Sequence, residues 1–129
     1  MAAEFSEKRH SQRVSLALPI KGKRLGKLLH NHSFQGQTQD VSYKGLCIKC
    51  DNISGFKPGQ DVAFKTRLYS GDFLLRAQGR VCWINGMPDP DWPVNMGVKI
   101  THMRRYRLWV ERIENKITEA IVAIHGNSV

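Results

Sequence analysis

Apolar and polar residues alternate along most of the first hundred positions, and the period lengthens after that. Val14, Leu16 and Leu18 alternate and predict a strand, with Pro19 near its end or on a sheet edge, where a missing N–H costs no ladder bond. Residues 21–27 are basic with two glycines and read as a turn or short hairpin arm. The stretch 28–39 suggests a strand with an irregular break, Asn31 and Gly36 being the bulge or turn points. Val41 continues an apolar alternation, and Leu46, Ile48 and Cys50 begin another, so 39–46 reads as strand, tight turn, strand. Further strands are expected over 61–68, 73–84 and 94–101, with Leu75, Ala77, Gly79, Val81 and Trp83 sharing one face of the second. Pro58-Gly59 and Ser70-Gly71-Asp72 are turn signals, and 85–93 is a proline-rich loop. From 103 to 124 the apolar residues Tyr106, Val110, Ile113, Ile117, Ala120, Ile121 and Ile124 fall at helical spacing, with His125-Gly126 as a stop. Short strands followed by one helix predict a mainly β chain, a small antiparallel barrel or sandwich. The stripe Val110, Ile113, Ile117 and Ile121 is wide enough for the helix to cover it.

At 129 residues and 41% hydrophobic content the chain suffices for one folded domain. The net charge of +9 favours anionic partners, whether nucleic acid, an acidic membrane face or a phosphate ligand, without choosing among them. There is no run near the ~20 apolar residues of a membrane span, and the first seven residues carry no signal-peptide pattern. With three cysteines and no disulfide framework, a cytoplasmic protein is expected.

The candidate chemistry lies in two stretches. Arg9 and Arg13, with three residues between them, can embrace a compact anion. Asp40, Ser42 and Gly45 occupy the 39–46 turn: two short polar side chains that bond nearby backbone, and a glycine that admits positive φ or a close neighbour. Arginine suits phosphate oxygens and the guanine O6/N7 edge, and aspartate accepts from guanine N–H donors.

In order and spacing, Arg9-x-x-x-Arg13 and Asp40-x-Ser42-x-x-Gly45 resemble the PilZ domain, the bacterial receptor for cyclic di-GMP. The resemblance continues through Lys57-Pro58-Gly59-Gln60-Asp61-Val62, Gly79-Arg80-Val81-Cys82-Trp83 and Met96-Gly97-Val98-Lys99-Ile100. It implies a six-stranded antiparallel barrel with a C-terminal helix: a basic arm over 1–13, the barrel over 14–101 and the helix over 102–125, all one domain. It also implies a non-enzymatic receptor, needing no cofactor, that passes binding on to a partner protein in motility, biofilm or exopolysaccharide control. The implied ligand residues are Lys8, Arg9, Arg13, Asp40, Ser42 and Gly45, with Trp83 and Lys44 as further candidates. Lys8 stands where many members carry another arginine; it keeps the charge and loses the fork. The arm, poor in apolar residues, is expected to be mobile when free and pinned when bound.

Four other readings compete. A nucleic-acid-binding barrel would use Arg67, Arg76, Arg80, Lys99, Arg104, Arg105 and Arg107. A metal site at Cys47-x-x-Cys50 is disfavoured because residues three apart on a strand point to opposite faces, and His30-x-His32 lacks further ligands; Cys82 reads as a small buried hydrophobe. An enzyme lacks a recognisable nucleophile–base set. A family member that does not bind the nucleotide would lack the arginine pair or the turn, and both are present here. A monomer or weak dimer is expected.

Overall fold

Strand β3 (Ser33–Val41) carries the N-terminal part of the chain on one side and β4 (Gly45–Cys50) on the other. The computed structural model describes residues 12–26, 33–51, 56–67 and 74–127, the last four as backbone alone. The other elements are β1 (Val14–Ser15), β2 (Pro19–Arg24), β5 (Asp61–Arg67), β6 (Leu74–Gly86), β7 (Val94–Met103) and the helix α1 (Tyr106–Asn127). All pairings are antiparallel, in the order β3-β2-β5-β6-β7-β4, and β4 returns to β3, closing a six-stranded barrel with β1 as an extra strand. Closure removes the exposed edges that an open sheet would present.

The strand expected over Val14–Leu18 is interrupted. Val14 and Ser15 pair with Val41 and Asp40, and pairing resumes only at Pro19 with Gln37. Across the gap, Thr38 stands in for the ladder. Its N–H donates to Leu18 O (2.9 Å), its hydroxyl accepts from Leu18 N–H (2.7 Å), and the same hydroxyl donates to Leu16 O. The turn expected over 21–27 is instead strand as far as Arg24. Ile20 and Gly22 face inward between exposed lysines, and Gly22 is glycine because the Phe34 ring occupies the space a Cβ would need. Gly36, expected to break β3, is paired within it. The irregularity falls between Thr38 and Asp40 instead. Asn31 and the 70–72 turn lie outside the described residues.

On β6, Leu75, Ala77, Gly79 and Val81 face inward as expected, but Trp83 does not. A register shift between Val81 and Trp83 turns Trp83 outward, where it is 39% exposed, and leaves Cys82 exposed rather than buried. The strand runs on through Asn85 and Gly86, and β7 to Met103.

The helix starts at Tyr106, after Arg105 at φ 57°, and continues past the expected stop to Asn127. Its buried line is Trp109 and Ile113, both fully buried, followed by half-buried Ile117, an i, i+4 series. The expected stripe left out Trp109, and it included Ile121, which is 50% exposed. The helix therefore covers the barrel only over its first three turns. No helix among the described residues is long and apolar enough to cross a membrane.

Candidate functional site

Asp40 is aimed by a bulge. Phe34, Gly36 and Thr38 point inward, so unbroken alternation would bury Asp40 next. Thr38 pairs with Ile48 and Asp40 with Cys47, leaving Gln39 as the extra residue. The phase reverses there: Val41 is fully buried and Asp40 emerges on the outer face. The bulge is pinned to β7, because Asn95 Nδ2 donates to Gln39 Oε1 (2.9 Å) and the Cys47 thiol beneath donates to Asn95 Oδ1 (2.9 Å).

The turn after Asp40 is locked from within and from behind. Ser42 N–H and Ser42 Oγ both donate to Gly45 O, at 2.8 and 3.2 Å. From behind, Trp109 Nε1 donates to Ser42 O (3.0 Å) and Tyr43 O (3.2 Å), Tyr106 OH donates to Tyr43 O (2.7 Å), and Tyr43 OH donates to Glu114 Oε1 (3.4 Å). Burial raises the Tyr43 hydroxyl pKa, with the Glu114 carboxylate adding to it, and burial raises that of Tyr106. Gly45 does not use the positive φ that glycine permits. It is needed for close approach: a Cβ there would lie 3.0 Å from Val98 O and 4.0 Å from Arg13 Nη2.

Sheet register then assembles an outer platform. Ser15, Asp40, Cys47, Gly97 and Trp83 are successive cross-strand partners on β1, β3, β4, β7 and β6. The Trp83 indole lies on Gly97, in the volume a side chain there would fill. One row away, Gly45 faces Lys99. Arg13 Nη1 donates to Asp40 Oδ1 at 2.6 Å, the side chains being 52% and 32% exposed. A cavity of about 220 Å³ between these groups is lined by Arg13, Ser42, Lys44, Gly45, Cys82, Trp83, Gly97, Val98 and Lys99.

Of the expected ligand residues, Arg13, Ser42, Lys44, Gly45 and Trp83 thus line one cavity, with Asp40 on its Arg13 side. Lys8 and Arg9 lie outside the described residues. The Ser42 hydroxyl hydrogen serves the turn itself. Gly97, Val98 and Lys99 belong to the Met96–Ile100 stretch of the resemblance, with no ligand role expected of them there, and Cys47 to the disfavoured metal pair; sheet register is what brings all four beside this turn. Burial, then the nearby Asp40 carboxylate, push the Cys47 thiol up, partly offset by Arg13 and Asn95. Cys50 faces the core, away from Cys47. Among the described residues no cluster of three or more metal-ligating side chains is present; His30 and His32 lie outside them. A larger groove of about 920 Å³ lies elsewhere, and no described motif residue lines it. The candidate site is the smaller cavity, because the described motif residues converge there.

A closed six-stranded barrel whose helix braces a D-x-S-x-x-G turn, with a cationic platform on its outer face, defines a class. The family model that matches the chain is the PilZ domain, over residues 7–117, and the chain belongs to that family. Among solved structures it is similar to the Bacillus subtilis inhibitor of motility MotI/DgrA, with a TM-score of 0.66 and 12% identity over 85% of this chain. This chain spans 52% of that protein, and the likeness concerns the fold. The search of curated protein sequences returned no match.

Proposed function

We propose that the protein is a cyclic di-GMP receptor that relays binding to a partner protein. The observation that carries this reading is the Arg13–Asp40 pair beside the Gly97–Trp83 platform. The pair is substantially exposed, so opening it costs only about 0–1 kcal/mol. Guanine N–H donors then replace the guanidinium on Asp40, and Arg13 turns to a phosphate. Lys44 and Lys99 supply further positive charge, and the free face of Trp83 offers a surface on which a purine stacks. The cavity is shallow, so the dinucleotide lies across the outer face instead of entering the barrel. Lys8 and Arg9 join from the segment before β1, and their capture changes the surface offered to a partner. The similarity to a motility inhibitor supports motility control as the downstream process; biofilm and exopolysaccharide control remain within the same reading.

Calorimetric titration with cyclic di-GMP tests this. Wild type is expected to bind saturably, and Arg13→Ala and Asp40→Ala to bind at least about tenfold more weakly, the loss of one charge-assisted contact of about 1.5–3 kcal/mol. No heat of binding at high micromolar ligand, or undiminished binding by both variants, would reject the proposal.

A further inference from the structure

Around the barrel from the motif site, register lines up a second set of charges. Lys21 on β2 faces Lys65 on β5, and Lys65 faces Arg76 on β6. All three are exposed. Directly facing cross-strand side chains have Cβ atoms about 5 Å apart, and like charges in that position repel. None of the three takes part in an ion pair among the described residues. They line the groove of about 920 Å³ together with Lys23 and Arg104, against a single carboxylate among the described residues, Asp51, which accepts from Gln35 N–H.

We propose that this groove binds a compact polyphosphate anion. A cationic ladder with facing like charges is a fold penalty that an anionic occupant removes. Three neighbouring strands hold the charges in a line, a spacing that can bracket successive phosphates. Two of the three are lysines, whose ammonium heads act as point charges on phosphate oxygens. The groove volume falls within the roughly 300–1,000 Å³ of small-ligand sites. The aromatic rings lining it, Phe34 and Phe64, are only 2% and 4% exposed, so they offer no face on which the bases of a single strand stack. The inference goes beyond the cyclic di-GMP reading, and among the described residues the two linings have none in common.

The test uses inorganic tripolyphosphate as the probe, titrated into the full chain at low ionic strength. Wild type and Arg13→Ala are expected to bind it alike, and Lys21→Gln/Lys65→Gln at least about tenfold more weakly. The double variant removes facing like charges, so its thermal midpoint without ligand should match or exceed wild type, and its affinity for cyclic di-GMP should be unchanged. Absence of saturable binding at millimolar probe, or binding that the double variant leaves intact, overturns the proposal. So does ladder-dependent capture of a random oligonucleotide or of acidic phospholipid vesicles in preference to tripolyphosphate. Because Arg13→Ala and the double variant are each titrated with both ligands, failure of one site is distinguishable from failure of the other.

Discussion

Trp83 can lie flat on the sheet only because position 97 has no side chain, and the same pair makes the surface proposed for the ligand. A Cβ at Gly97 would occupy the indole's place, but Trp83 is 39% exposed and can swing into solvent. Gly97→Val is therefore expected to keep the fold, at a cost of about 1–3 kcal/mol, while weakening cyclic di-GMP binding at least about tenfold. Thermal unfolding and calorimetry on the same preparation separate the two effects; undiminished affinity would remove the platform from the site. Tyr43 and Tyr106 give a second prediction. Both hydroxyls have raised pKa values, so the folded state holds their protons more tightly than the unfolded chain does. Their contribution is fully present below about pH 10, the unfolded value, and is lost as pH rises through the higher folded values. The thermal midpoint is expected to fall across that alkaline range, and to fall less in Tyr43→Phe. Arg13, Asp40, Ser42 and Gly45 were legible in the sequence because a turn and an arginine pair are local patterns. Gly97 and Lys99 stand in the Met96–Ile100 motif and Cys47 in a cysteine pair, but their place at this site was not legible, because only strand pairing brings them beside that turn.

The helix has two unequal parts. Trp109 and Ile113 are fully buried, and the Trp109 indole serves two carbonyls of the motif turn, whereas Ile121 and Val122 are exposed. Trp109→Phe keeps a ring and drops the N–H, leaving Ser42 O without its indole donor. A loss of about 1–3 kcal/mol is expected, read as a lower denaturation midpoint with weaker cyclic di-GMP binding, since the braced turn carries Ser42 and Gly45. Truncation after Ala120 removes only residues beyond the buried line and is expected to leave the unfolding free energy within about 0.5 kcal/mol of wild type. If the two changes cost the same, the division is wrong. At this scale the periods of apolar residues revealed most strands and the helix, and they misled where one period met another. Residues 21–24 looked like a turn because two lysines flank a glycine, yet Phe34 fills the glycine's inward space. The Thr38–Asp40 and Val81–Trp83 shifts each reverse a face, and alternation alone cannot reveal an inserted residue.

Over the whole molecule the barrel sorts its three cysteines into different environments, and that sorting gives a test of where the ligand sits. Cys50 is fully buried in the core. Cys47 lies on the outer side of β4 but under Gln39 and Asn95, 6% exposed, with its thiol pKa raised, so little thiolate forms at neutral pH. Cys82 is exposed and lines the motif cavity beside Trp83. Alkylation by iodoacetamide near pH 8 is therefore expected to modify Cys82 first, with Cys47 and Cys50 following only on unfolding, as peptide mass mapping would show. If cyclic di-GMP spreads over the outer face as proposed, saturating ligand slows Cys82 alkylation severalfold, and it does not do so in Asp40→Ala. Tripolyphosphate, held by the ladder on β2, β5 and β6, leaves the Cys82 rate unchanged. Protection of Cys82 by tripolyphosphate would show that the two proposed anion sites are not separate, and its full reactivity under saturating cyclic di-GMP would move the nucleotide off the outer face.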